Sequence, residues 1–317
     1  MSDLIYLAIG LVGLFFGGEW LVRGAVAIAT GLRIPPLVIG LTLVGFGTST
    51  PELVTSLQAA LAGSPGIAVG NVVGSNIGNV LLILGLAAFL VPITVDARAL
   101  SRDGTVLMAA TVACLAVVLT GHVGRWTGLT FVAALAVYVV ATIVIERRRE
   151  SRAAAVYEAE TDLVAETAAG WRAAVLALAG LIVLIVGARF LVTGAIGVSE
   201  RAGLSEALIG LTIVAIGTSL PELVTSVIAV RRGQGDVAFG NIIGSNIFNI
   251  LGILGVTAAV RPLAVPDEIA RLDIWVMTAA ALALVLLARS GWRVTRSEGG
   301  AMLAAYALYL GVLIALA

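Results

Sequence analysis

Apolar residues run along this chain in blocks of about twenty, broken by short polar stretches, rather than in the alternating or heptad patterns of soluble elements. Crossing a hydrocarbon core of ~30 Å takes about 20 apolar residues in a helix. Ten blocks meet that length, approximately at 4–30, 37–62, 67–91, 104–120, 127–145, 172–198, 207–230, 237–260, 272–288 and 301–316. The pattern predicts an all-α integral membrane protein of ten transmembrane helices.

The interruptions inside those blocks are not random. Leu37–Ser56 reads LVIGLTLVGFGTSTPELVTS and Ala207–Ser226 reads ALIGLTIVAIGTSLPELVTS, identical at fourteen of twenty positions. GNVVGSNIGNVLLILG from Gly70 and GNIIGSNIFNILGILG from Gly240 agree at eleven of sixteen. Both pairs stand 170 residues apart, Glu52 to Glu222 and Asn79 to Asn249. The chain therefore divides into a first five-helix repeat at 1–145, with its motifs at about 37–91, a linker at 146–171, and a second repeat at 172–317, with its motifs at about 207–260. An odd number of spans per copy makes the second copy enter the membrane from the opposite side. Inverted repeats of this kind build secondary transporters, whose substrate site lies near the midplane.

Composition narrows the class further. The chain has 317 residues, 60% hydrophobic and 12% charged, with mean hydropathy +1.10, far above the roughly 45–50% apolar content of soluble domains. Its net charge is zero and all 19 basic residues are Arg, so no basic patch suggests nucleic acid, and no obligate protein partner is implied. The lone Cys114, inside an apolar run, excludes an intrachain disulfide and reads as a small hydrophobe. The start of the chain lacks a basic leader and a small-residue cleavage site, so the first span is expected to be retained. The central linker, with Arg147, Arg148 and Arg149 followed by Glu158, Glu160, Asp162 and Glu166, reads as solvated. Arginines in short loops favour the cytoplasm. Thirteen of them fall on the linker's side and four on the other, which predicts a multi-pass protein of the plasma or inner membrane with both termini outside and the linker cytoplasmic.

The polar residues kept in both copies carry the chemistry. Glu52 and Glu222 sit mid-span, where an ionisable group costs about 2.5 kcal/mol or more and marks a functional site. Neither span holds an arginine to neutralise them. Thr48 and Ser49 share a helical face with Glu52, as Thr218 and Ser219 do with Glu222. Pro51 and Pro221 remove backbone donors, so the helices should be interrupted and carbonyls near Gly45–Thr48 and Ala215–Thr218 freed. The second motifs add Asn71, Ser75 and Asn79, with counterparts Asn241, Ser245 and Asn249, at four-residue intervals. Asn76 and Asn246 are expected to point elsewhere and bond between helices. Gly74 and Gly244 are expected to let helices approach closely.

Every candidate ligand is an oxygen, while the chain has one His, His122 near a loop, and one Cys, which argues against zinc, copper or iron. Two carboxylates with carbonyls, hydroxyls and amides suit Ca2+, which takes 6–8 oxygens in flexible geometry, better than Mg2+. An empty site would carry two unpaired carboxylates through a low-dielectric barrier, at several kcal/mol per ion. Reorientation is thus expected mainly when the site is loaded, which is coupled antiport without a nucleotide. The sequence has no P-loop and no H-E-x-x-H, so neither an ATP-driven pump nor an intramembrane enzyme, such as an acid protease using Glu52 and Glu222, is supported. A passive channel would bind cations with a similar ring but conduct without counter-ion dependence, so flux coupling separates the two. No cofactor is expected; Ca2+ and Na+ would be bound as substrates.

At GTSTPE (47–52), GTSLPE (217–222) and the GSN-x-x-N segments at 74–79 and 244–249, the sequence resembles the cation/calcium exchanger superfamily, and within it the prokaryotic sodium/calcium antiporters. The resemblance spans essentially the whole chain and implies ten helices and a central Ca2+ site flanked by Na+ sites. Carried over by motif, Glu52 and Glu222 would be the principal Ca2+ ligands, and Thr48 and Thr218 would offer carbonyls. Ser49, Ser75, Ser219 and Ser245 would serve Na+, and Asn79 and Asn249 would line the middle. Many sodium/calcium exchangers place an aspartate where this chain has Asn249. That departure keeps a calcium/proton antiporter open beside the sodium-coupled one.

Overall fold

The computed structural model describes residues 2–32, 46–147, 170–231 and 233–316, and among them the chain is almost entirely helical. Helix α1 is Ser2–Gly31, α2 Thr50–Ala62, α3 Pro65–Leu90, α4 Ala97–Val118, α5 Arg125–Arg147 and α6 Gly170–Ala202. Then come α7 Glu206–Thr218, α8 Leu220–Arg231, α9 Gly235–Val260, α10 Ile269–Arg289 and α11 Arg296–Leu316. Helices close all backbone hydrogen bonds within one segment, which a bilayer interior demands.

Eight of these helices are long and apolar enough to span a membrane, and α7 with α8, bent by 45°, makes a ninth. The expected tenth span, 37–62, is described only from Phe46 onward, as α2. The expected linker at 146–171 lies almost wholly outside the described residues.

α3 and α9, which carry the second motifs, form the centre: 83% and 78% of their apolar windows are buried, against 17% for α5. The long pair α1 and α6 packs side by side through glycines. A Cβ added at Gly10, Gly17 or Gly24 would fall 2.5 Å from the backbone nitrogen of Leu191, Leu184 or Ala177. Small residues let backbones meet where lipid offers no hydrophobic drive to associate. Beside this seam, Glu19 and Arg23 pair at 2.7 Å within α1, as their four-residue spacing predicts.

Short strands tie the ends of the two copies together. β1 (Ile93–Thr94) pairs antiparallel with β4 (Arg293–Val294), and β2 (His122–Val123) with β3 (Leu263–Ala264). Further from the centre, the Tyr138 hydroxyl donates to Asp103 at 3.0 Å and the Tyr309 hydroxyl to Asp273 at 2.8 Å. Asp103 also takes Arg102 at 2.7 and 2.9 Å, whereas a leucine, Leu272, precedes the buried Asp273.

Candidate cation site

In each first motif a helix starts directly after the serine. Ser219 leaves helical geometry at φ −84°, ψ 9° between α7 and α8, and Ser49 does the same at φ −87°, ψ 9° before α2. Pro51 and Pro221 then sit in the first turn of the helices that follow, where a missing N–H costs nothing. The breaks match expectation, but two of the carbonyls expected to be freed are taken. Gly47 O accepts from Thr50 N at 3.1 Å, and Ala215 O accepts from Ser219 N at 3.1 Å and from Thr218 Oγ1 at 3.3 Å. The helix caps itself locally at each break. Gly45 lies outside the described residues.

The glutamates are buried, Glu52 1% and Glu222 0% exposed, and the two copies hold them crosswise. Ser49 Oγ donates to Glu222 Oε1 at 2.6 Å, and Ser219 Oγ donates to Glu52 Oε1 at 2.8 Å while lying 3.1 Å from Ser75 Oγ. Hydrogen bonds to a charged acceptor are shorter and stronger than neutral ones. Glycine brings the elements this close: a Cβ at Gly74 would lie 2.5 Å from Leu211 O. Gly244, expected to act likewise, has nothing within 4 Å among the described residues.

The second motifs frame the pair. α3 and α9 loosen from α- to π-helix at Asn79–Leu84 and Phe248–Leu254, a local rewinding that recurs at functional sites. Asn79 Nδ2 donates to Asn246 Oδ1 at 3.0 Å, which turns its own Oδ1 away from that bond. Asn246 thus bonds between helices, as expected, but it does so by turning toward Asn79 of the other copy rather than away from the candidate ligands. Asn76, expected to bond between helices as well, does not: its Nδ2 goes to Val72 O at 2.8 Å in its own helix.

Asn71 does more than line the face. Its Nδ2 reaches Glu52 O at 3.2 Å and Ser56 Oγ at 2.9 Å, and its Oδ1 accepts from Thr218 Oγ1 at 3.1 Å. The counterpart set is open, since Asn241 Nδ2, Ser226 Oγ and Thr48 Oγ1 are buried without a hydrogen-bond partner among the described residues.

Six oxygens from the ten singled-out residues share that condition: Glu52 Oε2, Glu222 Oε2, Thr48 Oγ1, Asn79 Oδ1, Asn249 Oδ1 and Ser245 Oγ. A buried polar atom left unpaired costs about 1–3 kcal/mol, and six of the ten singled-out residues carry one. Among the described residues no three His, Cys, Asp or Glu side chains gather to hold a metal. The charge here comes from two carboxylates, and the remaining donors are neutral oxygens, the set that suits a hard cation.

The model of the sodium/calcium exchanger protein family matches residues 2–144 and 172–315, both sides of the central segment. The chain belongs to this family. The sodium/calcium exchanger MaX1 of Methanosarcina acetivorans is 33% identical over 343 residues, covering 98% of each chain, and the inner membrane protein YrbG of Escherichia coli is 36% identical over 92% of this chain and 90% of its own. The solved structure of the sodium-calcium exchanger NCX_Mj soaked with Na+ and Sr2+ superposes with TM-score 0.66 at 31% identity, covering 98% of both chains. This family member is thus a multi-pass membrane protein of a cation-exchanging family, and its relatives are transporters rather than enzymes.

Proposed function

We propose that this chain is a secondary active antiporter that exchanges Ca2+ for Na+ by alternating access, with Ca2+ held between Glu52 and Glu222. The observation that carries the reading is a set of six buried oxygens without a hydrogen-bond partner among the described residues, two of them on the glutamates that the two copies tie crosswise and four on neutral motif residues. Asn79, Asn249 and Thr48 complete the Ca2+ shell, while Ser49 with Ser245 and Ser219 with Ser75 flank it as Na+ positions; Thr218 is engaged with Asn71 and contributes through its backbone. One Ca2+ neutralises two carboxylates, so loaded and not empty carriers reorient.

In this reading the chain has ten transmembrane helices in two inverted five-helix repeats, 1–145 and 172–317. The linker at 146–171 is cytoplasmic and both termini are outside. The reciprocal pairing of β1 with β4 and of β2 with β3 supports a two-fold relation between the copies. α1 and α6 are the pair that slides.

Asparagine at both 79 and 249 leaves two carboxylates as the only charge, and proton coupling at the same site is the second reading. Radiocalcium uptake into proteoliposomes separates them, comparing Na+-loaded with choline-loaded vesicles at fixed pH and then under an imposed proton gradient, with Glu52→Gln as the blank. Uptake driven by outward Na+ and lost in Glu52→Gln is the expected outcome. Uptake driven only by protons moves the assignment to Ca2+/H+ exchange, and no coupled uptake sinks the antiporter reading.

A further inference from the structure

The two ends of the molecule treat their arginines differently. At the β2–β3 end every described arginine has a protein partner: Arg125 donates to Val260 O at 3.4 Å, Arg261 donates to Leu61 O at 2.9 Å, Arg201 meets Asp3 at 2.9 Å and Arg271 meets Asp267 at 3.6 Å. At the β1–β4 end Arg102 and Arg296 are taken, by Asp103 and by Leu90 O. Arg98, Arg231, Arg289 and Arg293 are exposed there, and among the described residues no side-chain hydrogen bond or ion pair holds them.

The fold gathers these four around one strand pair. Arg293 lies in β4 opposite Thr94, and Val95 N donates to Trp292 O at 2.8 Å. Arg98 stands in the first turn of α4, just after β1. Arg289 ends α10, the helix that packs on α4 and leads into β4. Arg231 ends α8, and the next helix starts at Gly235, where a Cβ would lie 3.4 Å from Ile93 Cα. Local acids do not cancel the charge. Around these strands six guanidiniums stand against Asp96, Asp103, Asp236 and Glu298, whereas at the other end four stand against Asp3, Glu200, Glu206, Asp267 and Glu268. Asp96 and Glu298 are moreover turned to backbone N–H groups, those of Arg98 and Ala99 at 2.9 and 2.8 Å and that of Thr295 at 2.7 Å.

Trp292 carries the second observation. Among the described residues it is the only non-glycine with positive φ, 55°, and it is 44% exposed. A bulky side chain in the left-handed region is held there by its surroundings, and such residues gather at ligand clamps. The equivalent turn of the first copy leaves the left-handed position to Gly121, at φ 74°. Indole rings settle at the headgroup level of a bilayer, and guanidinium forks grip phosphate oxygens in pairs.

We propose that Arg98, Arg289 and Arg293, with the ring of Trp292 beside them, form a binding site for the headgroup of an acidic phospholipid in the leaflet at the β1–β4 end, with Arg231 adding to its field. A zwitterionic headgroup brings a cation that the same guanidiniums repel, so the site selects by net charge. The assignment depends neither on which ions are exchanged nor on which compartment this end faces.

Lipid displacement tests it without any flux. Full-length protein is reconstituted in bilayers of brominated phosphatidylcholine, whose bromines quench tryptophan, and unbrominated phosphatidylglycerol is added. The signal of Trp292 is the difference from Trp292→Phe. Phosphatidylglycerol is expected to restore that signal about tenfold more effectively than unbrominated phosphatidylcholine. Arg289→Gln and Arg293→Gln should each weaken the preference about fivefold, the factor that one guanidinium near an anionic surface supplies. Arg293→Lys, which keeps the charge and serves where the glutamine variant does not fold, should retain most of it. Arg125→Gln, at the opposite end, should leave it unchanged. Equal recovery with the two lipids, or the same loss in Arg125→Gln as in Arg293→Gln, overturns the site. If inorganic phosphate in the buffer abolishes the preference, the guanidiniums hold a soluble anion and the lipid assignment falls.

Discussion

The hydroxyl of Ser49 and the carboxylate of Glu222, 173 positions apart in the chain, meet at 2.6 Å in the buried centre. Ser219 and Glu52 repeat the contact in mirror fashion at 2.8 Å. Each copy of the motif thus completes the carboxylate of the other, and neither copy alone assembles a site. The consequences are measurable.

Removing either serine takes a donor from a buried carboxylate, a loss of about 1.5–3 kcal/mol for a charge-assisted bond. Ser49→Ala and Ser219→Ala are each expected to raise the Na+ concentration for half-maximal radiocalcium efflux by about tenfold or more, with a smaller change in the Ca2+ dependence. An unchanged Na+ dependence in both variants would remove the serines from the counter-ion sites.

Asn71 and Asn241 occupy equivalent positions and carry different hydrogen bonds. Asn71→Ala deprives Ser56, Thr218 and the Glu52 carbonyl of a partner and should cost about 1–3 kcal/mol. Asn241→Ala removes an amide nitrogen that has no partner among the described residues and should cost less. Thermal melting of the two variants in the same detergent checks the order; equal losses refute it.

The two aspartate–tyrosine pairs offer a second contrast. Tyr309→Phe leaves Asp273, a buried carboxylate, without its hydroxyl donor, whereas Tyr138→Phe leaves Asp103 still held by Arg102. The first substitution is expected to lower stability by about 1–3 kcal/mol and the second by under about 1 kcal/mol. Melting temperatures in the reverse order would contradict the account.

Gly17 tests the seam between α1 and α6. Its added methyl would lie 2.5 Å from Leu184 N and 2.9 Å from Gly180 O, both backbone atoms that cannot rotate away. Gly17→Ala should therefore force the helices apart, at about 1–3 kcal/mol. If α1 and α6 slide as a pair, the exchange rate falls while Ca2+ affinity measured by calorimetry holds. An unaltered rate with an unaltered melt would show that the seam tolerates the methyl.

Much of this protein could be read from its sequence because the governing quantities are local. Span length follows from bilayer thickness, so the helices fell near their expected places, although α4 and α10 begin several residues earlier than the apolar runs at 104–120 and 272–288. The recurrence of Glu52 as Glu222 and of Asn79 as Asn249 at one offset identified the buried polar residues, since membrane interiors tolerate such groups only where something requires them. The serine breaks before Pro51 and Pro221 were equally legible, as proline acts on its own turn.

Only the tertiary structure decided which copy serves which. Asn246 could not be read as the partner of Asn79, because the bond joins residues 167 apart and depends on how α3 and α9 cross. The exchange of Gly78 for Phe248 is visible in the sequence, but that its ring stacks on Phe46 of the first copy is decided by packing. The same holds for the closed set around Asn71 and the one around Asn241 that is open among the described residues, where matching polar residues sit in different surroundings. Residue type and spacing determine what each copy can offer; the packing of one copy against the other determines which offers are taken up.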